Sequence, residues 1–214
     1  MARERYTKYP RPILWLVPGG DLLLAGGSHA AIEPFYISKF PVSNEQFEAF
    51  DPGFLRSDLS ADDSDPAIGV SLQEAQEYCA WYSEVSRKNM RLPSEEEWEY
   101  ACRGGSPSRF FWGDDPTEAD DFLWDADNSD GQLHPADAKR ANEFGLFGML
   151  GSVWEWVAPE PGEDGEQAPL ERHGVLRGGS FQTPRKEISC SLRKTAGDTE
   201  AVEGAGFRIV KSLR

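Results

Sequence analysis

The chain has 214 residues, with 22 Lys+Arg against 37 Asp+Glu and a formal net charge of −15. That balance argues against broad nucleic-acid or anionic-membrane partners, which need clustered Lys and Arg. With 39% hydrophobic residues the chain can bury a core, and no stretch approaches the ~20 apolar residues of a membrane span. The start is basic but lacks a signal-peptide apolar region and cleavage site, so a cytoplasmic location is expected.

The first elements are short strands: Ile13 to Val17, closed by Pro18-Gly19-Gly20; Leu22 to Ala25, closed by Gly26-Gly27; and Glu33 to Phe40. Three helices follow, each opened by a Ser-x-x-Glu/Gln capping box at Ser43, Ser71 and Ser94. The second is the longest, about Leu72 to Arg87, with Leu72, Ala75, Cys79 and Tyr82 on one face. Gly104-Gly105 ends the third. Residues 106–146 are turn-rich and acidic. The aromatic segment 144–156 reads as core, with Trp154 and Trp156 on a buried strand face and Glu155 on the opposite one. Residues 159–172 read as an exposed acidic loop, and 175–181 and 206–211 as closing strands.

With 21 Gly, 15 Pro and 7 Trp, the pattern is one loop-rich domain spanning 1–214 and held by aromatics. Common catalytic signatures are missing. Cys79, Cys102 and Cys190 form no CxxC, and His29, His134 and His173 form no HExxH. No phosphate-binding glycine motif and no GxSxG elbow occurs.

Five segments together resemble the formylglycine-generating-enzyme, or sulfatase-modifying-factor, family. They are PFYISKFPVSNEQFEAF (34–50), VSLQEAQEYCAWY (70–82), RLPSEEEWEYACRGG (91–105), NEFGLFGMLGSVWEWV (142–157) and RGGSF…CSLRKTAG…GFRIV (177–210). The resemblance implies an α+β fold, a variant of the C-type lectin fold with little regular secondary structure. Most of the matching residues read as packing, including an Arg–carboxylate pair around Arg91, Glu97 and Glu99, so they specify the scaffold rather than an activity.

The resembled enzyme oxidises a substrate cysteine with two copper(I)-binding cysteines just after its Gly-Gly-Ser element. Here that stretch, Phe181 to Cys190, holds only Cys190, which aligns with a downstream structural cysteine. Soft copper(I) needs thiolate or thioether donors, so no copper is expected. The resemblance further implies that Cys102 and Cys190 lie together as a thiol pair, and that Cys79 is a buried hydrophobe. Family members also hold structural calcium. Gly148 stands where one site has Asp or Asn, leaving Glu155 and backbone carbonyls there; Asn128 and Asp130 would serve a second site.

These readings point to a non-catalytic module that binds a protein or peptide ligand. The expected surface is the Ser180–Ser189 loop, with Ser180, Phe181, Gln182, Thr183, Arg185 and Lys186, flanked by Trp112 and Trp124. Arg185 and Lys186 are expected to be exposed cations that meet an acidic partner. One alternative is a divergent oxidoreductase or accessory enzyme of the same family. Another is a variable protein of a diversity-generating retroelement, although 181–205 contains no Asn and no Tyr, which such templates favour.

Overall fold

The computed structural model describes residues 9–24, 27–159 and 173–213. The acidic loop expected at 159–172 lies, apart from Pro159, outside the described residues.

The three capping boxes open three helices. Ser43, Ser71 and Ser94 each accept the N–H of the third helical residue, whose side chain reaches back to the cap N–H. Each cap satisfies otherwise orphaned backbone donors and contributes about 1 kcal/mol. The helices are α1 (Asn44–Glu48), α2 (Leu72–Ser86) and α3 (Glu95–Arg103), with Arg87 and Gly104 left-handed at the ends of α2 and α3. No helix among the described residues is long and apolar enough to cross a membrane.

Among the described residues ten short strands form three sheets: β1 (Leu14–Val17), β2 (Gly20–Leu23), β3 (His29–Ile32), β4 (Phe35–Ser38), β5 (Met90–Arg91), β6 (Trp154–Trp156), β7 (His173–Arg177), β8 (Arg193–Gly197), β9 (Ala205–Phe207) and β10 (Val210–Ser212). The first sheet has the antiparallel order β1-β4-β10-β5; β2 and β3 form a hairpin; the third has the order β8-β7-β6-β9. Within it β6 and β9 run parallel.

The segment 206–211 is therefore not one strand. It leaves the third sheet after Phe207 and enters the first at Val210. Gly206 makes the first half possible, because a Cβ there would stand 2.6 Å from the Ala67 carbonyl oxygen. Between the strands Arg208 turns fully inward.

Two apolar clusters fill the interior. One gathers Trp98, Ala101, Cys102, Phe110, Leu146, Leu150 and Cys190. The other gathers Phe47, Tyr78, Tyr82, Trp156, Phe207 and Ile209. Glu155 corrects the expected alternation: it is as buried as its Trp neighbours. Its carboxylate accepts from Arg208 Nε at 2.6 Å, Arg208 Nη2 at 2.7 Å and Trp98 Nε1 at 2.7 Å. A buried charge is tolerated when paired and fully hydrogen-bonded, and here the partner lies 53 positions away.

Candidate functional site

Loop 180–190 begins where β7 ends. Gly178 has φ +93°, and a Cβ there would stand 2.8 Å from the Met149 carbonyl oxygen. The chain then closes a tight turn. The Ser180 N–H donates to Thr183 Oγ1 at 2.9 Å, and the Thr183 N–H donates to the Ser180 carbonyl at 2.9 Å. Phe181 sits inside the protein, its N–H on the Ser152 carbonyl and its own carbonyl accepting from Ser129 Oγ at 2.8 Å. The Thr183 carbonyl accepts the Ala126 N–H at 3.1 Å, so residues 125–129 are stitched along the loop.

The loop is consequently less exposed than its polar sequence suggests. Ser180, Phe181, Thr183 and Ile188 are buried, whereas Gln182, Lys186 and Glu187 face solvent. Arg185 is not the free cation expected. Its Nε donates to Asp125 Oδ2 at 2.7 Å and its Nη2 to Asp120 Oδ1 at 2.5 Å, with Asp127 at 3.9 Å. Asp125 itself is fully buried. These bonds hold the Arg185 pKa above its ordinary value, the bond to Asp125 contributing most. Asp120 is held below the ordinary carboxylate value by hydrogen bonds from Asn128 and then Arg185. Arg185 therefore fastens the loop to the acidic turn, and Lys186 is the cation left facing outward.

The two flanking tryptophans differ. Trp112 is stacked between Phe110, at 4.5 Å, and Phe122, at 4.9 Å, and its Nε1 donates to the Asp115 carbonyl at 3.0 Å. Trp124 stacks on His134 at 4.0 Å and carries the Lys139 ammonium over its ring at 3.7 Å. Burial lowers the Lys139 pKa against the opposing pull of Asp120, Asp121 and Asp125. The Trp124 carbonyl accepts the Ser152 N–H, and Gly151 lies so close that a Cβ would meet that carbonyl oxygen at 2.1 Å. Trp124 thus stands beside the loop on a fixed backbone.

Several contributors carry no local sequence signal. Arg109 donates to the Lys186 and Ile188 carbonyls, while its own carbonyl accepts the Cys190 N–H at 2.9 Å. Asp120, Asp125, His134 and Lys139 belong to a stretch that reads only as an acidic, turn-rich run.

The donor sets for metals are committed elsewhere. Glu155 is saturated by Arg208 and Trp98, so a cation there would have to displace a buried guanidinium. Asn128 Oδ1 accepts the Asp125 N–H at 2.9 Å, and its amide donates to Asp120 and to the Leu123 carbonyl. Asp130 is exposed at φ +54°. Neither set fits a six- to eight-oxygen calcium shell without rearrangement. Among the described residues no group of three His, Cys, Asp or Glu side chains is arranged to hold a metal ion.

The sulfur atoms fit copper no better. Cys102 and Cys190 are adjacent free thiols, both fully buried. Burial raises the Cys102 pKa, and the neighbouring Cys190 thiol adds to it. Burial also pushes the Cys79 thiol up to about 12. Around the thiol pair lies an ionic network: Arg177 Nη1 reaches Glu95 at 2.8 Å and Nη2 reaches Glu99 at 2.5 Å and the Cys190 carbonyl at 3.0 Å. Arg103 completes it on Glu99 at 2.8 Å.

Residues 4–213 match the Sulfatase-modifying factor enzyme 1-like domain family, and the chain belongs to that family. It is 34% identical to the formylglycine-generating enzyme of Streptomyces coelicolor over 61% of this chain and 46% of that protein. It is also 34% identical to the inactive C-alpha-formylglycine-generating enzyme 2 of Bos taurus, over 54% of this chain and 38% of that protein. The chain thus spans less than half the length of either relative. PvdO from Pseudomonas aeruginosa superposes with a TM-score of 0.80 at 22% identity, covering 94% of this chain and 95% of that one, a likeness of fold. The architecture is the α+β, formylglycine-generating-enzyme-like variant of the C-type lectin fold.

Proposed function

We propose that this member of the sulfatase-modifying-factor family is a non-catalytic recognition module that binds a protein or peptide through the 180–189 loop and Trp124. The observation that carries the reading is where the sulfur lies. Residues 181–189 contain none, and the three thiols are 0–4% exposed in the interior. A thiolate is the metal ligand and the nucleophile, and burial disfavours it. The scaffold of the family persists without the donors that its oxidase chemistry requires.

The proposed contact residues are Gln182 and Lys186, with Trp124 as the aromatic anchor at their side. Arg185, Ser180, Phe181 and Thr183 hold the surface in shape, and Trp112 supports it from the Phe110–Phe122 stack. A loop fixed in this way loses little conformational entropy on binding. The site is expected to work without copper or calcium, in the cytoplasm.

The test compares wild-type protein with the Gln182→Ala/Lys186→Glu variant. A partner captured by the wild type should be lost by the variant at unchanged melting temperature. In parallel, copper-loaded protein should consume no oxygen with a cysteine-containing peptide, and its thiols should react with Ellman's reagent only after denaturation. Peptide-dependent oxygen uptake would establish the oxidoreductase alternative and defeat the proposal.

A further inference from the structure

The sheet edges are treated unequally. β8, an outer strand of the third sheet, exposes Arg193, Lys194 and Thr195, the charged covering that keeps an edge from pairing with another chain. β1 is the outer strand of the first sheet, and it holds no charged residue of its own; among the described residues the Lys39 ammonium lies over the Trp15 ring at 5.1 Å. Ile13 is 58% exposed, Trp15 44% and Leu16 47%, three of the large apolar side chains that face solvent, within four positions. Residues 11–20 hold no carboxylate, and neither does β4 beside them, in a protein of net charge −15.

The backbone of β1 has a defined polarity. The Lys39 N–H donates to the Ile13 carbonyl at 2.8 Å, and Trp15 lies opposite Ile37. Antiparallel strands alternate the direction of their hydrogen-bonding groups, so Ile13, Trp15 and Val17 bond to β4. Leu14 and Leu16 therefore turn their N–H and C=O groups to the open side. Among the described residues no strand pairs with that side.

We propose that two copies of this chain associate through β1, antiparallel, about a two-fold axis at Trp15. The register follows from the free groups. Leu14 exchanges both hydrogen bonds with Leu16 of the second copy, and Leu16 with Leu14 of that copy. Trp15 meets its own counterpart in the non-hydrogen-bonded position between them. A two-fold interface must be self-complementary, and this strand is: Pro12 and Pro18 stand three positions on either side of Trp15, with no carboxylate between them to repel its own copy. Pro12 and Pro18 end the pairing on both sides. The two first sheets become one continuous sheet. The acidic bulk of each copy opposes the approach over distance, so salt strengthens the pair by screening that repulsion.

Sedimentation velocity of the full chain across a concentration series should show the mass rising from 23.8 kDa toward twice that value, and more so with added salt. Leu16→Pro deletes an outward N–H without touching the ladder to β4, and should sediment as a monomer at unchanged melting temperature. Trp15→Cys places two thiols across a non-hydrogen-bonded pair, where Cα atoms lie about 4.5 Å apart, within disulfide reach. Mild oxidation should convert it to a covalent dimer, while Leu55→Cys, at a position 88% exposed, should cross-link far less. A wild type that stays at 23.8 kDa at every concentration and salt overturns the proposal. So does a dimer that Leu16→Pro leaves intact, or a Trp15→Cys protein that cross-links no better than the Leu55→Cys control.

Discussion

Two of the guanidinium–carboxylate centres in this molecule differ in how many charges each arginine answers for. At the middle, Arg208 and Glu155 are both 0% exposed, one cation to one carboxylate. The rest of that guanidinium donates to the carbonyls of Ser38 and Phe147. At the rim, Arg185 is 19% exposed and serves Asp125, Asp120 and, more distantly, Asp127. The central pair is closed and neutral, and it fastens strands of two sheets. The rim centre carries surplus negative charge and opens to water, and it fastens a loop. The same chemistry therefore specifies the scaffold in one place and the shape of a surface in the other.

The largest effect should come from opening the central pair. Glu155→Gln leaves a buried guanidinium without a counter-charge, which costs about 3–5 kcal/mol. For a protein of this size that lowers the melting temperature by roughly 6–20 °C. Thermal unfolding followed by circular dichroism measures it, and a loss below that of the rim variant would erase the contrast.

Arg185→Gln should cost less, about 1–3 kcal/mol, because Asp120 stays in water and the buried Asp125 keeps the Asp127 N–H as a donor. Its effect should be local. Hydrogen exchange should accelerate across 183–188 while the amides of β6 and β9 stay protected. Uniform acceleration over the whole chain would mean that the rim is part of the global unfolding unit.

Acid should separate the two regions further. The folded pKa of Asp120 is depressed by Asn128 and Arg185. Its contribution is thus present above the unfolded value of about 4 and is lost as the pH falls through the lower folded value. Asp120 is 65% exposed, so the global effect is small. The loop amides should loosen below pH ~4 while the core persists; simultaneous loss would count against an independent rim.

Smallest of all, Gln182→Ala and Lys186→Glu should each move stability by no more than about 0.5 kcal/mol, since both face solvent. Equilibrium denaturation checks this, and a larger shift would show that they too fasten the loop.

What could be read from the chain follows the range of the interactions involved. The three capping boxes span four residues each, and all three were legible at Ser43, Ser71 and Ser94. The matching family segments carried the fold. Glu155 was not legible as a buried residue, because its partner stands 53 positions away and a carboxylate between two tryptophans reads as the wet face of a strand. The inward packing of the 180–189 loop was hidden likewise: Phe181 and Arg185 find their partners at Ser129 and Asp125, 52 and 60 positions away. β8 was missed because Arg193, Lys194 and Thr195 pattern as loop, although an edge strand tolerates them on its open side.

The place of β4 sets the timetable of folding. Its inner neighbour is β10, and the Ile209 N–H reaches Ser38 Oγ across 171 positions. A ribosome adding about 5–20 residues per second needs roughly 10–35 seconds to make that stretch. Throughout that interval the nascent β4 has β1 on one side and nothing on the other, and Phe35 and Ile37 have no completed core to enter. The first sheet must wait until residue 212 has been made, so the yield in a cell should depend on the holdase chaperones that cover apolar strands during translation.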